Sequence, residues 1–348
     1  MIEISEKYMH RALQLANSAA ETVSPNPMVG AVIVHNGKII GEGFHRKCGL
    51  AHAEVNAVNA VRECDRKLLT ESTIYVTLEP CSHYGKTPPC SELIIRCGIP
   101  NVVIGCLDPY EKVAGRGVSM LREAGVNVVV GVLSEECERL NKRFVTAHQQ
   151  KRPYLLLKWA ESADGFLDRD RVGRGEQSVI SNAVTQMMVH RLRARYDAIM
   201  VGSNTVVKDN PTLTVRNWYG DNPIRIVVDR GGIIPTDSNI LTDGGETIIF
   251  GSCSAEKVNG VEYVKLKDCE NPFEEILQEL YNRNIISLMV EGGAKLLTSI
   301  IELELWDEAR IEYGISDFSG GVEAPRIDGV LVSEEFHQGN RVKHLFRR

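Results

Sequence analysis

The sequence predicts an α/β protein with two domains. Its 348 residues are about twice the length of a typical domain of about 150 residues. Apolar runs rich in Val and Ile alternate with helical patterns along the whole chain. Near the middle, Pro153 interrupts a helical pattern, which a proline ring cannot continue. We therefore expect one α/β domain over residues 1–150 and a second over residues 151–348.

In the first half, the elements follow from local patterns. Residues 28–35 and 38–40 flank the dipeptide Asn36-Gly37, which is typical of a tight β-hairpin turn. The pattern next predicts a helix over 53–64 and strands over 73–78, 102–107 and 126–130. Ser134 opens a helix that runs to about residue 149.

The second half begins where Pro153 pushes the residue before it out of the helical region. An apolar strand over 154–159 follows. Further strands are predicted over 198–201, 224–228, 247–250 and 286–290, and helices over 182–194, 272–282 and 294–302. The chain contains no internal repeat and no low-complexity stretch.

Composition favours an enzyme that acts on small molecules. Hydrophobic residues make up 43% and charged residues 25%, and no apolar run approaches the roughly 18 residues that cross a bilayer. We expect a cytoplasmic protein without a membrane partner. The net charge of −6 argues against nucleic acid as the main partner, because such binding needs clustered Lys and Arg. The nine cysteines suit metal binding or burial rather than a disulfide framework.

A candidate metal site lies in the first half. His52 stands where a loop enters the helix, and Cys81 and Cys90 follow the next strand. One imidazole and two thiolates are the ligand set of a catalytic zinc, which keeps a fourth position for water and lowers the pKa of that water to about 7. Glu54 would take the proton of that water and pass it to a departing amine. Taken singly, either cysteine could simply be buried and the histidine could simply lie at the surface. The occurrence of all these residues in this order along the chain favours a zinc site.

The loop between the two cysteines carries a family resemblance. Residues 80–90, Pro-Cys-Ser-His-Tyr-Gly-Lys-Thr-Pro-Pro-Cys, resemble the zinc loop of the bifunctional deaminase-reductases of riboflavin biosynthesis. Residues 24–30, 41–45 and 107–109 match the same family. The resemblance implies one Zn²⁺ per deaminase domain, with Asn26 and His45 at the pyrimidine, His83 and Lys86 at the ribose phosphate, and Asp108 near the substrate. Asn26 and Asp108 also fit simple turn residues.

Two motifs of the second half resemble the reductase of that family. Residues 205–216 match a Thr-x-x-x-Asp-x-Pro-x-Leu-Thr-x-Arg segment, and residues 290–294 form a strand-Gly-Gly-helix turn that lets a phosphate approach the backbone. The resemblance implies a cytidine-deaminase-like three-layer domain followed by an α/β domain similar to dihydrofolate reductase. It also implies residues that contact NADPH, namely Glu161, Thr205, Asp209, Gly293, Ala294, Lys295, Leu296, Leu297, Thr298 and Ser299. Residues implied at the substrate are Lys158, Arg193, Leu213, Arg216 and Glu291.

The second domain departs from the family in two places. The family often has an aromatic residue where this chain has Val179, so one contact to the cofactor is absent. Beyond Glu312 a glycine-containing segment is expected, and residues 317–321 are the best candidate.

The resemblance implies two reactions. The first half would deaminate 2,5-diamino-6-ribosylamino-4(3H)-pyrimidinone 5′-phosphate, and the second would reduce the ribosyl group of the product with NADPH. A homo-oligomer is expected. Three alternatives remain: a nucleoside or nucleic-acid deaminase with an unrelated second domain, a metal-stabilised binding module without catalysis, and an active deaminase with a weakened or inactive reductase.

Overall fold

A computed structural model describes residues 4–84, 88–109, 115–171, 174–253, 255–267 and 271–348. The chain divides into two compact units, Met1–Lys151 and Arg152–Arg348. Within the described ranges, none of the helices is both long enough and apolar enough to cross a lipid bilayer.

The first unit alternates helices and strands. In chain order its elements are α1 (Glu6–Asn17), β1 (Gly30–His35), β2 (Lys38–Phe44), α2 (Ala53–Asn59), a 3₁₀ helix (Glu63–Glu71), β3 (Thr73–Leu78), α3 (Cys90–Arg96), β4 (Asn101–Cys106), α4 (Arg116–Glu123), β5 (Asn127–Val130), α5 (Ser134–Leu140) and α6 (Lys142–Gln150).

In the described part of this unit, one sheet has the strand order β2-β1-β3-β4-β5. The strand β1 is antiparallel to β2 and β3, whereas β3, β4 and β5 are parallel. Apolar residues of α2, α3 and α4 pack on one face of the sheet, and those of α1 and α5 pack on the other. The unit is therefore a three-layer α/β domain, as predicted.

Two glycines allow α2 to lie directly on β2. A Cβ atom added to Gly43 would fall 2.3 Å from the backbone nitrogen of Ala57, and one added to Gly41 would fall 2.4 Å from the carbonyl oxygen of Ala57. Only a residue without a side chain permits this approach. The motif at residues 41–45 thus sets the position of the helix that carries the candidate site.

Two predicted helices of this unit are shorter in the structure. The helix predicted over 53–64 ends at Asn59, and Val61 turns into the core on the side of α2, so packing overrides the helical pattern. The helix predicted over 134–149 is broken at Asn141, whose side chain binds both the amide and the carbonyl of Met28. The predicted hairpin is confirmed, with positive φ angles at Asn36 and Gly37.

The second unit is also α/β. Its elements are β6 (Tyr154–Glu161), β7 (Phe166–Asp168), α7 (Ala183–Arg193), β8 (Ala198–Gly202), α8 (Ser203–Asp209), β9 (Ile224–Asp229), α9 (Asn239–Thr242), β10 (Thr247–Gly251), β11 (Ala255–Val258), β12 (Val261–Lys265), α10 (Phe273–Asn282), β13 (Ser287–Val290), α11 (Ala294–Glu302), β14 (Glu308–Tyr313), β15 (Val322–Glu323), β16 (Val330–His337) and β17 (Asn340–Phe346).

Among the described residues, ten strands form its main sheet in the order β11-β12-β10-β9-β8-β13-β6-β14-β17-β16. From β12 to β14 neighbouring strands are parallel, and the three outer pairings, β11–β12, β14–β17 and β17–β16, are antiparallel. Helices α10 and α11 pack on one face, and residues of α7, α8 and α9 pack on the other. Parallel strands end at the same edge of a sheet, which is where ligands of open α/β folds bind.

The C-terminal hairpin β16–β17 extends the sheet beyond the predicted elements. In β16 residues 330–332 are exposed and residues 333–337 alternate between half-buried and exposed, whereas β17 is half-buried except for the buried Asn340 and Val342. Neither strand has the long buried apolar run that marks the central strands. Residues 317–321 lie in the loop between β14 and β15. There the carboxylate of Asp164 accepts hydrogen bonds from the backbone amides of Phe318 and Ser319 at 3.0 and 2.8 Å.

Candidate active sites

The structure brings His52, Cys81 and Cys90 together in the first unit. His52 precedes α2, Cys81 follows β3, and Cys90 begins α3. The ligand atoms of all three lie within 4.8 Å of one another, and no other group of this kind is found in the described residues. The distances from His52 Nδ1 to the sulfur atoms of Cys81 and Cys90 are 3.6 and 3.4 Å.

These distances fit a zinc ion. Zn–S bonds of about 2.3 Å and Zn–N bonds of about 2.0–2.1 Å at a tetrahedral angle place nitrogen and sulfur ligands roughly 3.6 Å apart. The hydrogen bond from the thiol of Cys90, together with one from His52, lowers the pKa of Cys81 below its ordinary value. A thiolate is the form that binds metal. The donor set and its spacing therefore suit a zinc site to which the described residues contribute three ligands.

Glu54 lies beside this triad in the first turn of α2 and is 3% exposed. Burial raises the pKa of its carboxyl group to about 7, and the charge of Cys81 adds to the effect. A carboxyl group with a pKa near neutrality can both accept and return a proton in one reaction cycle. The sequence predicted this residue in this role, and the structure places it where that role is possible.

Two predicted substrate residues contact each other next to the triad. Asn26 Nδ2 lies 3.0 Å from His45 Nε2, and the rings of His45 and His52 meet edge to face with centroids 5.2 Å apart. Burial lowers the pKa of His45, which favours its neutral form. Asn141 fixes the loop that carries Asn26, because its side chain pairs with both backbone groups of Met28 at 2.8 and 2.9 Å.

The other residues predicted for this site differ in their exposure to solvent. His83 is exposed, Asp108 is half-buried, and Lys86 lies outside the described residues. Sequence reasoning assigned no role to Glu79, although its side chain binds backbone amides at Asp108 and at the start of α4. Its carboxylate accepts hydrogen bonds from the amides of Asp108, Gly115, Gly117 and Val118 at 2.9–3.3 Å.

In the second unit a cavity of about 1080 Å³ lies at the carboxyl ends of β6, β13, β8 and β9. Cavities for drug-sized ligands are typically about 300–1000 Å³, so this one is large enough to hold a ligand of that size. Gly292 and Gly293 form the turn between β13 and α11, and an atom added at Gly293 meets nothing closer than 3.9 Å. The start of α11 therefore offers backbone amides to a phosphate.

Charged residues converge at one end of the cavity. Arg193 and Glu291 form an ion pair at 2.7 Å, and Lys158 lines the same end. Burial alone would raise the pKa of Glu291, but the charges of Arg193 and Lys158 outweigh it, and the pKa lies below its ordinary value. For Lys158, burial lowers the pKa. The site thus holds an anionic carboxylate beside a lysine that releases its proton more readily than usual.

Hydrogen bonds hold the segment with Arg216 against α7. The backbone amide of Arg216 donates to His190 Nδ1 at 3.1 Å, and its guanidinium donates to Thr212 Oγ1 at 2.6 Å. Arg193 donates to the carbonyl of Thr214 at 3.2 Å. The motif at residues 205–216 and the helix that carries Arg193 therefore form one side of the cavity.

Most of the predicted reductase residues line this cavity, namely Lys158, Arg193, Thr205, Asp209, Arg216, Glu291, Gly293, Ala294, Lys295, Leu296 and Ser299. Four do not. Leu213 and Leu297 are buried in the two core clusters, because each faces the sheet. Glu161 accepts a hydrogen bond from the indole of Trp159 at 2.8 Å. Thr298 lies on α11 outside the lining.

Sequence reasoning missed several lining residues, among them Arg171 and Arg230. The guanidinium of Arg171 pairs with Asp168 and with Asp209, so it joins the loop after β7 to α8. Arg230 and Gly231 follow β9, and a glycine after a parallel strand was a signal that could have placed them at the ligand edge. Val179, where an aromatic residue was expected, also lines the cavity and is 77% exposed.

Comparisons with known proteins agree with both halves of the structure. The family model of the cytidine and deoxycytidylate deaminase zinc-binding region matches residues 2–106, and that of the RibD C-terminal domain matches residues 153–329. The riboflavin biosynthesis protein RibD of Aquifex aeolicus is 41% identical over 312 residues, which cover 88% of this chain and 85% of that protein. The Escherichia coli RibD is 37% identical over 320 residues, covering 87% and 85%.

Solved structures extend the likeness over the whole chain. A crystal structure from Thermotoga maritima described as a diaminohydroxyphosphoribosylaminopyrimidine deaminase/5-amino-6-(5-phosphoribosylamino)uracil reductase aligns with a TM-score of 0.89 at 38% identity. The alignment covers 99% of this chain and 98% of that one. The RibD of Acinetobacter baumannii aligns with a TM-score of 0.88 at 30% identity, with the same coverage.

Proposed function

The chain belongs to the RibD family of bifunctional deaminase-reductases of riboflavin biosynthesis, and from this premise we propose the substrates, cofactors and residues of its two reactions. The first unit deaminates 2,5-diamino-6-ribosylamino-4(3H)-pyrimidinone 5′-phosphate. The second reduces the ribosyl group of the product to a ribityl group. The observation that carries the proposal is the triad His52, Cys81 and Cys90 with buried Glu54 beside it.

In the first reaction, one Zn²⁺ held by the triad would supply an activated water at the carbon that bears the 2-amino group. Glu54 accepts the proton of the attacking water and passes it to the departing amine, which leaves as ammonia. Asn26 and His45 hold the pyrimidine next to the metal ligands. His83 and Lys86 bind the ribose phosphate, and Asp108 lies near the substrate.

In the second reaction, NADPH bound along the start of α11 would supply a hydride to the anomeric carbon. Thr205, Asp209 and residues 293–299 hold the cofactor, and Arg193 and Arg216 bind the substrate phosphate. When the bond from the anomeric carbon to the ring oxygen breaks, that oxygen takes a proton from Lys158, whose burial favours proton release.

The variant Glu54→Gln tests the deaminase. The amide has nearly the shape of the carboxylate but cannot carry the proton, so we expect zinc content to stay at one ion per chain while ammonia release falls at least 100-fold. His35→Gln, in the same unit and away from the triad, serves as the control. Ammonia release at the wild-type rate from the Glu54→Gln variant would remove Glu54 from the mechanism.

Absorbance of NADPH tests the reductase. With the deaminated ribotide present, the wild-type protein should oxidise NADPH, and a flat trace would favour the alternative in which this domain is inactive. The intact cavity and the ion pair of Arg193 with Glu291 support an active reductase.

Cytidine serves as a control substrate for the deaminase, since turnover of cytidine alone would overturn the substrate assignment.

A homo-oligomer is the proposed assembly. The edge strand β16 exposes Val330, Leu331, Val332 and Phe336. An apolar edge strand is a template for pairing with another chain, and two copies of one strand can pair about a two-fold axis. Sedimentation velocity should show a dimer or larger species, and Phe336→Lys should shift it towards the monomer. A wild-type protein that sediments as a monomer would contradict this proposal.

A further inference from the structure

The strand β14 places a buried arginine next to Lys158. Arg310 and Lys158 are register partners on the parallel neighbours β14 and β6. Register partners on adjacent strands point to the same face of a sheet, with backbones about 4.8 Å apart. Ala309 and Ile311 point to the opposite face, where they join the core beneath α10 and α11. Arg310 therefore lies beside Lys158, on the face of the sheet that carries α7.

Burial makes this arginine unusual. Arg310 is 1% exposed and is the largest of the fully buried side chains in the described residues. Its Nη1 and Nη2 atoms are buried and have no hydrogen-bond partner among those residues. A buried charge without direct partners is costly, and an apolar residue of similar volume often stabilises a fold better. Stability of the domain does not account for a cation at this position.

The nearby carboxylates form hydrogen bonds or ion pairs with residues other than Arg310. Glu312, on the same face of β14, accepts hydrogen bonds from Ser181, Thr185 and Asn340 at 2.6–2.7 Å. Glu291 accepts from Arg193. Glu335 of β16 pairs with His337 at 2.9 Å. None of these carboxylates makes a direct ion pair with Arg310 in the described structure.

We propose that Arg310 is a positioning residue of the reductase, which acts through its positive charge on Lys158 and makes the lysine a better proton donor. The inference rests on the proposed reductase function. Two like charges side by side in a buried setting disfavour the protonated lysine. Lys158 then passes its proton to the opening ribose more readily than an isolated ammonium would.

The groups that face the pair come from every neighbouring element. Around Lys158 they are Glu291 after β13, Glu312 on β14, and His190 and Arg193 on α7. Around Arg310 they also include Glu335 on β16 and His344 on β17, which is the register partner of Arg310. Burial lowers the pKa of Lys158, Glu291 and Glu312 oppose that shift, and Arg310 and Arg193 reinforce it. Removal of Arg310 should therefore raise the pKa of the lysine.

A pH profile of hydride transfer tests the inference. The full-length protein is mixed with NADPH and 5-amino-6-(5-phosphoribosylamino)uracil, and the single-turnover rate of NADPH oxidation is followed from pH 6 to pH 11. The wild-type rate should fall on the alkaline side with a midpoint below that of free lysine, about 10.4. Arg310→Met, which keeps the volume without the charge, should move that midpoint upward by about one pH unit. Arg310→Lys, which keeps the charge, should leave it in place.

Arg348→Met is the control, because it removes an exposed charge at the end of the chain. Deaminase activity measures folding of the rest of the protein. An active Arg310→Met protein with an unchanged midpoint overturns the inference, as does a wild-type midpoint at or above that of free lysine. If neither Arg310→Met nor Arg310→Gln folds, Arg310 has a structural role and the inference is also overturned. Failure of the proposed function differs, since wild-type protein would then oxidise no NADPH.

Discussion

Burial prepares single residues of this protein for chemistry. Glu54 and Lys158 serve different reactions, yet burial moves the pKa of both towards neutrality, to about 7 for Glu54 and downward for Lys158. The cause is the same for both, because a low-dielectric setting disfavours whichever form carries the charge. The two side chains could be predicted from motifs, whereas their proton affinities follow only from the packing around them.

Asn141 shows how a residue far from the triad controls the substrate loop. Its buried side chain satisfies both backbone groups of Met28, two residues after Asn26. Asn141→Ala should cost roughly 2 kcal/mol of unfolding free energy, because two buried backbone groups lose their partners. It should also raise the KM of the deaminase and leave the reductase unchanged. Urea unfolding and both activities would be compared.

Asn127→Ala is the matched control for that change. Asn127 makes an exposed hydrogen bond to Asn101 at 3.2 Å, so its loss should move neither quantity. Equal effects of the two substitutions on the KM of the deaminase would contradict the role of Asn141.

The carboxyl group of Asp164 should make the free energy of unfolding depend on pH. Hydrogen bonds from Ser162 and from the amides of Phe318 and Ser319 lower its pKa from 3.8 to about 2. A carboxyl group whose pKa is lower in the folded than in the unfolded state stabilises the folded state. This stabilisation is fully present when the pH is above the unfolded-state pKa, and it is lost as the pH falls towards 2. Asp164→Asn removes the titration. The difference in unfolding free energy between wild type and variant should therefore be smaller at pH 3 than at pH 5; a difference that stays constant would contradict the argument.

At the scale of elements, α2 and β2 pack without any side chain between them at Gly43. An added Cβ atom would lie 2.3 Å from a backbone nitrogen of α2, and a backbone cannot move as a flexible side chain does. Gly43→Ala should therefore cost about 3 kcal/mol of unfolding free energy and displace His52 and Glu54. We expect weaker zinc binding, measured by competition with a chromophoric chelator.

The control for this change is Gly125→Ala. A Cβ atom added to Gly125 would meet nothing within 4 Å, but the φ angle of this residue is +82°. Alanine there should therefore lower the free energy of unfolding by only about 1 kcal/mol and leave zinc affinity unchanged. Equal loss of zinc affinity in both variants would mean that general destabilisation, rather than the displacement of α2, weakens the site.

Elements with a strong local signal could be predicted from sequence, and those set by packing could not. The hairpin at Asn36-Gly37 and the helix α11 have clear turn and amphipathic patterns, and their structure agrees with the prediction. The break at Asn141 depends on a partner 113 residues away, and the hairpin β16–β17 has only the short apolar run 330–332, which is exposed in the structure. In the same way, the family resemblance identified Arg193 and Glu291, whereas Arg310 became visible only through its register with Lys158.

At the scale of the whole molecule, each unit has its own core and its own candidate ligand. The core clusters of the described residues each belong to a single unit, and so do the metal triad and the cavity at the carboxyl ends of the strands. A ligand stabilises the native state to which it binds, by about 2.7 kcal/mol when its concentration is 100 times its Kd. The two ligands should therefore act on different unfolding transitions.

Differential scanning calorimetry of the full-length protein should show this separation. Removal of zinc with a chelator should lower the midpoint of one transition only, and NADPH at 100 times its Kd should raise the other by about 5 to 10 °C. Cys81→Ser lacks a metal ligand, so the chelator should have no further effect on it, whereas Cys253→Ser, at an exposed cysteine of the second unit, should respond like wild type. If zinc removal and NADPH shift the same transition, the two units unfold together, and the independence that their separate cores predict is wrong.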